Sequence, residues 1–185
     1  MMKTLYSYLY IALILTFVAA CNTSSKAPSA AKEKALTATA TISGKSGQHV
    51  QGTIVLIQVK DGVTLQIDLT GLEPNSLHGF HIHEIGDCTD DDAKSAGGHF
   101  NPGEVQHGGP EDQHRHAGDM GNLHSDAKGE VHTLVKNRMV TLDNQESTSV
   151  VNRAIIIHES KDQFDAQPAG NAGARIGCGV IRVNY

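Results

Sequence analysis

Six histidines and one aspartate, spread from His81 to His158, are the residues of this chain best suited to chemistry. Gly79-Phe80-His81-Ile82-His83-Glu84 places two imidazoles at i and i+2, and Gly97-Gly98-His99-Phe100-Asn101-Pro102 supplies a third. His107 and His116 follow, Asp119 stands three residues after His116, and the apolar run Ala154-Ile155-Ile156-Ile157 ends in His158. Four histidines suit a redox copper, for which imidazole is a good ligand. Three histidines and an aspartate suit a closed tetrahedral zinc site. Those two sets need seven imidazole positions, and six histidines are available, so one ring must serve both ions.

Short strands must position these side chains. In a strand, His81 and His83 share one face and leave Phe80 and Ile82 for the other. Period-2 alternation predicts strands over Leu36–Ser43, Val50–Lys60, Val63–Leu69, Gly79–Glu84, Glu130–Lys136, Met139–Leu142, Val150–His158 and Arg175–Val183. Asp61-Gly62 marks a hairpin between two of them. Eight short strands, 19 glycines and no helical pattern beyond a turn or two predict an all-β fold. The expected architecture is an eight-stranded antiparallel Greek-key sandwich or flattened barrel with long metal-binding loops. The segments Ile85–Lys128 and Glu159–Ala174 show no strand pattern. A loop of this length normally argues against such an assignment. Here it carries His99, His107, His116, Asp119 and Cys88, and a metal with a disulfide can order it.

Charge narrows the choice of partners. The chain has 15 Lys+Arg and 20 Asp+Glu, and residues 37–185 keep 11 of the former and 19 of the latter. With no basic stripe to neutralise phosphates, nucleic acid is excluded as a partner.

The first twenty residues read as an export signal: one charge at Lys3, an apolar stretch from Leu9 to Ala20, then Val18-Ala19-Ala20 before Cys21. Small residues directly before a cysteine resemble a bacterial lipoprotein signal, so Cys21 is the expected lipidation site. Residues 1–20 are then the signal peptide and residues 21–36, rich in Ser, Ala and Lys, the lipidated cysteine and a flexible tether. Residues 37–185 are the folded domain. The expected location is the periplasm of a Gram-negative cell, with the lipid anchored to the envelope membrane. Cys88 and Cys178 remain as an even pair in an exported protein, where a disulfide persists.

Read together, GFHIHE, AGGHFNP, HGGP with RHAGDMGN, IIIHE and GNAGARIGCGV resemble the copper–zinc superoxide dismutases of the bacterial, periplasmic kind. The resemblance runs from about Leu36 to Tyr185. Sandwich architecture and charge steering are established properties of that family. The resemblance implies dismutation of superoxide to dioxygen and hydrogen peroxide, with copper carrying the electron and zinc holding the bridge. It assigns copper to His81, His83, His99 and His158, and zinc to His99, His107, His116 and Asp119, with His99 shared. It further implies a Cys88–Cys178 disulfide, Arg175 as the anion guide, and Asp162 as a carboxylate joining a copper-side and a zinc-side imidazole. His78 matches a structural position, while His49, His114, His124 and His132 match no ligand.

The segment between Cys88 and His99, with Asp90-Asp91-Asp92, is longer than in eukaryotic members. The loop between Asp162 and Gly170 has no lysine, so Lys161, Lys94 and Lys60 stand as candidates to assist steering. A homodimer is compatible with the resemblance, since members pair through different faces or stay monomeric. Two other readings are a non-catalytic copper or zinc binding or delivery protein on the same fold, and an immunoglobulin-like adhesion module. The first normally lacks a copper ligand or the arginine; the second needs no His-x-His pair.

Overall fold

Alternating burial along the first strand sets the pattern of the whole fold. In β1 (Thr37–Gly44), Ala38, Ala40 and Ile42 turn into the core while the threonines between them stay half-buried or exposed. Seven more strands follow: β2 (Gln51–Val59), β3 (Gly62–Thr70), β4 (Leu77–His83), β5 (Asp119–His124), β6 (Val131–Asn137), β7 (Ala154–His158) and β8 (Arg175–Val183). The computed structural model describes residues 35–185. The expected signal peptide, Cys21 and most of the tether lie outside the described residues.

All pairings are antiparallel, in the order β5-β4-β7-β8-β1-β2-β3-β6. The two edge strands, β5 and β6, are consecutive in sequence and joined by a turn tied by Asp126 N–H to Glu130 C=O and Gly129 N–H to Asp126 C=O. The sheet thereby curls into a nearly closed barrel. Inside it Ile54, Leu56, Leu65, Ile67, Phe80, Ile82, Ile155, Ile157 and Ile181 are fully buried.

Strands β4 and β7 are buried on both faces. Phe80, Ile82, Ile155 and Ile157 face the barrel interior, whereas His81, His83 and Ile156 face outward beneath the two long loops. The first loop is pinned to β4 by Phe100 N–H to Ile82 C=O, Ile82 N–H to Gly118 C=O and Glu84 N–H to Gly98 C=O. Its start is closed by the Cys88–Cys178 disulfide, which spans 90 residues of sequence. By the chain-entropy argument a closure of that length contributes on the order of 4–5 kcal/mol.

Three segments differ from the sequence expectation. Asp119–His124 is a strand that the alternation test misses, because buried Asp119 and Gly121, at φ 81°, interrupt the pattern. Met139–Leu142 alternates in burial yet forms no ladder. It makes a single isolated bridge, Thr141 with Ser149, and Gln58 Oε1 accepts from Thr141 Oγ1 and from Leu142 N–H. The expected Val150–His158 strand shortens to β7, preceded by a turn with Arg153 N–H on Val150 C=O.

Candidate metal centre

The outward face of β4 and β7 supplies three rings, and the first loop brings the rest. His81, His83, His99 and His158 form one buried set of donors within 4.8 Å of one another; His99, His107, His116 and Asp119 form a second. His99 belongs to both. It reaches β4 through a backbone bridge with His83, and its ring stacks on His81 with centroids 4.0 Å apart.

In three rings of the first set one nitrogen is tied to a protein acceptor and the other has none. His81 Nε2–H donates to Asp162 Oδ2 (3.1 Å), His83 Nδ1–H to Gly97 C=O (3.0 Å) and His158 Nδ1–H to Gly173 C=O (3.3 Å). The opposite nitrogens, His81 Nδ1, His83 Nε2 and His158 Nε2, are buried without a partner. A buried unpaired imidazole nitrogen is costly unless a ligand takes it. These residues therefore fit a cation that accepts lone pairs. Anchoring the far ring nitrogen in this way fixes tautomer and orientation, as metal-binding histidines require.

The second set converges on one oxygen. His99, His107 and His116 present Nδ1 at 2.8, 3.0 and 3.2 Å from Asp119 Oδ1. Asp119 Oδ2 meanwhile accepts from Gly108 N–H and His116 N–H, so the carboxylate cannot turn away. Three imidazoles and one carboxylate oxygen are the donor chemistry of a zinc site.

Burial shapes the protonation of these groups. Desolvation, aided by His81, pushes His158 down to about 3, and desolvation pushes His99 down to about 4 against the pull of Asp119. Desolvation and His99 also hold His83 well below its ordinary value. These rings are neutral and ready to coordinate at pH 7. Burial works against a charge on His107 too, yet Asp119 and Asp162 outweigh it and raise that ring to about 9. Burial would raise Asp119, but hydrogen bonds from His107, His116 and His99 hold it far below the usual carboxylate range.

Asp162 joins the two sets: its Oδ2 meets His81 and its Oδ1 accepts from His107 Nε2–H at 2.9 Å. Arg175 lies at the rim of a cavity of about 260 Å³ lined by His83, His99, His158 and Pro168. Its Nη1 and Nη2 donate to Ala93 and Gly97 C=O, each at 2.8 Å.

The expected structural histidine, His78, is buried and donates from Nδ1 to His158 C=O (2.9 Å). His49, His114, His124 and His132 are all exposed. Lys94 is paired with Asp92 at 2.5 Å, and Lys60 sits in the β2–β3 turn, past the strand end remote from Arg175. That is more than roughly 30 Å of strand away, too far for steering through screened solvent. The residues that sequence reasoning misses are the clamps: Asn122 on the Asp162 backbone and Gln167 on that of His107. Asn122 ends the RHAGDMGN motif but carries no ligand spacing, and Gln167 sits in no pattern that marks it.

Residues 50–181 match the family model for copper/zinc superoxide dismutase. The chain belongs to this family. Among curated superoxide dismutases, "Superoxide dismutase [Cu-Zn] 1" of Aquifex aeolicus is 42% identical over 146 residues, covering 77% of this chain and 86% of that protein. "Superoxide dismutase [Cu-Zn] 2" of the same organism is 44% identical over 137 residues, covering 72% and 80%. Two solved structures share the superoxide dismutase architecture seen here. A SOD-like protein from Bacillus subtilis aligns with TM-score 0.70 and 34% identity, covering 76% of this chain and 95% of that one. The clock protein EA4 aligns with TM-score 0.73 and 35% identity, covering 80% and 94%. The adhesion-module reading falls with these matches.

Proposed function

We propose that this chain dismutes superoxide, converting two radicals and two protons into one dioxygen and one hydrogen peroxide. His81, His83, His99 and His158 hold copper; His99, His107, His116 and Asp119 hold zinc. The observation that carries this reading is the position of His99 in both donor sets. With Nδ1 beside Asp119, its Nε2 remains for the copper set.

Bound copper supplies a one-electron couple, and bound zinc supplies fixed charge without redox chemistry. The chain's own residues do the remaining work. Arg175 spends two of its five N–H donors on Ala93 and Gly97 and offers the others to a small anion at the rim. His99 Nε2 is the atom placed to take up a proton and pass it to a departing peroxide. Asp162 keeps His81 and His107 from rotating during that exchange. Retention of every copper ligand and of Arg175 weighs against a binding or delivery protein that does not turn over. Metal content by mass spectrometry with superoxide consumption, with and without copper, tests the reading. Stoichiometric copper without turnover would replace the enzyme by a binder.

The proposal includes export and anchoring to a periplasmic membrane through lipid on Cys21, supported by the Val18-Ala19-Ala20-Cys21 sequence. Incorporation of labelled fatty acid, abolished in Cys21→Ser, is the expected result. Homodimer formation is the partner reading carried with it. A light-scattering mass equal to one chain would remove that reading.

A further inference from the structure

The guanidinium of Arg175 is suspended between two carbonyls of the disulfide loop, at Ala93 and Gly97. Its direction therefore depends on where that loop sits. Two constraints on the loop come from the cysteine bridge and the 3-10 turn Lys94–Ala96. A third comes from the turn between β1 and β2, outside the metal centre. Lys45 Nζ donates to Cys88 C=O at 2.5 Å and to Asp90 C=O at 3.0 Å, and Ser46 N–H donates to Asp91 C=O at 2.7 Å.

The same turn also grips the backbone of the arginine strand. Ser46 Oγ–H donates to Arg175 C=O at 2.9 Å, and Lys45 N–H donates to Ile176 C=O at 2.9 Å. Two residues thus hold the arginine's main chain on one side and the loop carrying its side-chain acceptors on the other. Both ends of this clamp contain a non-glycine residue in the left-handed region, Ser46 at φ 52° and Ala93 at φ 54°. Such conformations persist where the surroundings over-determine them, and they cluster at functional sites. Ala93 is fully buried, and its N–H donates to the Asp90 carbonyl that Lys45 also engages. A continuous path of hydrogen bonds therefore runs from the Lys45 ammonium through Asp90 and Ala93 to the Arg175 guanidinium.

We propose that the β1–β2 turn, chiefly through Lys45, is a positioning element for Arg175 and sets how well the copper mouth docks a small anion. This inference rests on Arg175 as the anion guide. Lys45 does not line the cavity and acts through another residue, so the test must separate positioning from simple charge. The probe is azide, titrated against the metal-loaded enzyme by visible absorption at low and high salt, alongside superoxide turnover. Hydrogen exchange of the peptide covering residues 88–97 reads the loop without any anion.

Lys45→Met is expected to weaken azide about fivefold, the scale of one ordinary hydrogen bond, since Lys45 acts on the anion only through Arg175, at both salt concentrations. Exchange over residues 88–97 rises in that variant. Lys45→Arg, which keeps the donors, restores azide affinity to within about twofold. Lys45→Met combined with Arg175→Gln is no weaker than Arg175→Gln alone, because the two act as one unit. Unchanged azide binding in Lys45→Met, a loss that disappears at high salt, or additive losses in the double variant overturns the inference. Azide binding unaffected by Arg175→Gln overturns the anion-guide reading itself, and this one with it.

Discussion

Asp162 Oδ1 accepts from His107 Nε2–H at 2.9 Å, a contact that ties one donor set of the centre to the other. The other oxygen holds His81, and the aspartate's backbone is clamped by Asn122, which accepts from its N–H at 2.6 Å and donates to its C=O at 3.1 Å. Asp162→Asn leaves one acceptor and turns an amide donor toward a ring nitrogen that also donates. Zinc affinity is then expected to fall by about 10–100-fold, the usual cost of losing a group that orients a ligand. Copper content should survive, because His81 is also held by the β4 ladder whereas His107 stands in a loop. Chelator competition measures both, and unchanged zinc affinity would strip Asp162 of this role.

Gly170 guards the same contact. It has φ 77°, and a Cβ there would fall on the Asp162 carboxylate and within 2.7 Å of His107 Nε2. Gly170→Ala is expected to cost about 2 kcal/mol of stability and to lower zinc affinity as Asp162→Asn does. Gly103→Ala is the control, since its Cβ would meet only Val105 at 3.9 Å. Denaturant unfolding with zinc titration separates the two; equal behaviour would show that the close packing at Gly170 is irrelevant.

The clustered donors and most strands are legible in the sequence because each carries a local signature. His81 and His83 at spacing two demand a common strand face, and Ile155–His158 is an apolar run ending at a ligand. Asp119–His124 hides its strand because one of its buried positions is a charged ligand, which reads as polar in any alternation test. Met139–Leu142 misleads in the opposite direction. Val140 and Leu142 are buried as in a strand, but the segment's hydrogen bonds go to the Gln58 side chain and to the nearby Thr148–Val150 backbone, and form no ladder with a neighbouring strand. The clamps at Asn122, Gln167 and Lys45 are illegible for a general reason: each bonds to backbone far away in sequence, and backbone groups leave no trace in residue types.

Arg175 is the one cation among the residues lining the mouth. Lys94 is neutralised by Asp92 and Lys60 is remote, so local attraction must win against a domain whose net charge is strongly negative. Arg175→Glu is expected to lower the rate of superoxide decay more than about tenfold while copper stays bound. Rapid-mixing decay and metal analysis check both halves. A rate equal to wild type would remove Arg175 from the reaction.

Zinc uptake by the metal-free protein should carry a pH slope set by His107. His99 at about 4, His158 at about 3 and His83 well below its ordinary value are already neutral at pH 7, so copper displaces no proton from them. His107 differs: burial lowers it, but Asp119 and Asp162 outweigh burial and hold it at about 9. A value raised in the folded state means that the protonated ring stabilises the metal-free fold below about pH 6.5. That contribution fades as pH rises through about 9. Zinc must expel this proton, so its affinity should rise about tenfold per pH unit from pH 7 and level off near pH 9. Asp162→Asn removes one of the two partners that raise His107, so it should move the levelling point to lower pH. Chelator competition at fixed ionic strength measures the profile. A flat response between pH 7 and 9, or a levelling point that ignores Asp162, would mean that these two carboxylates do not set the proton on His107.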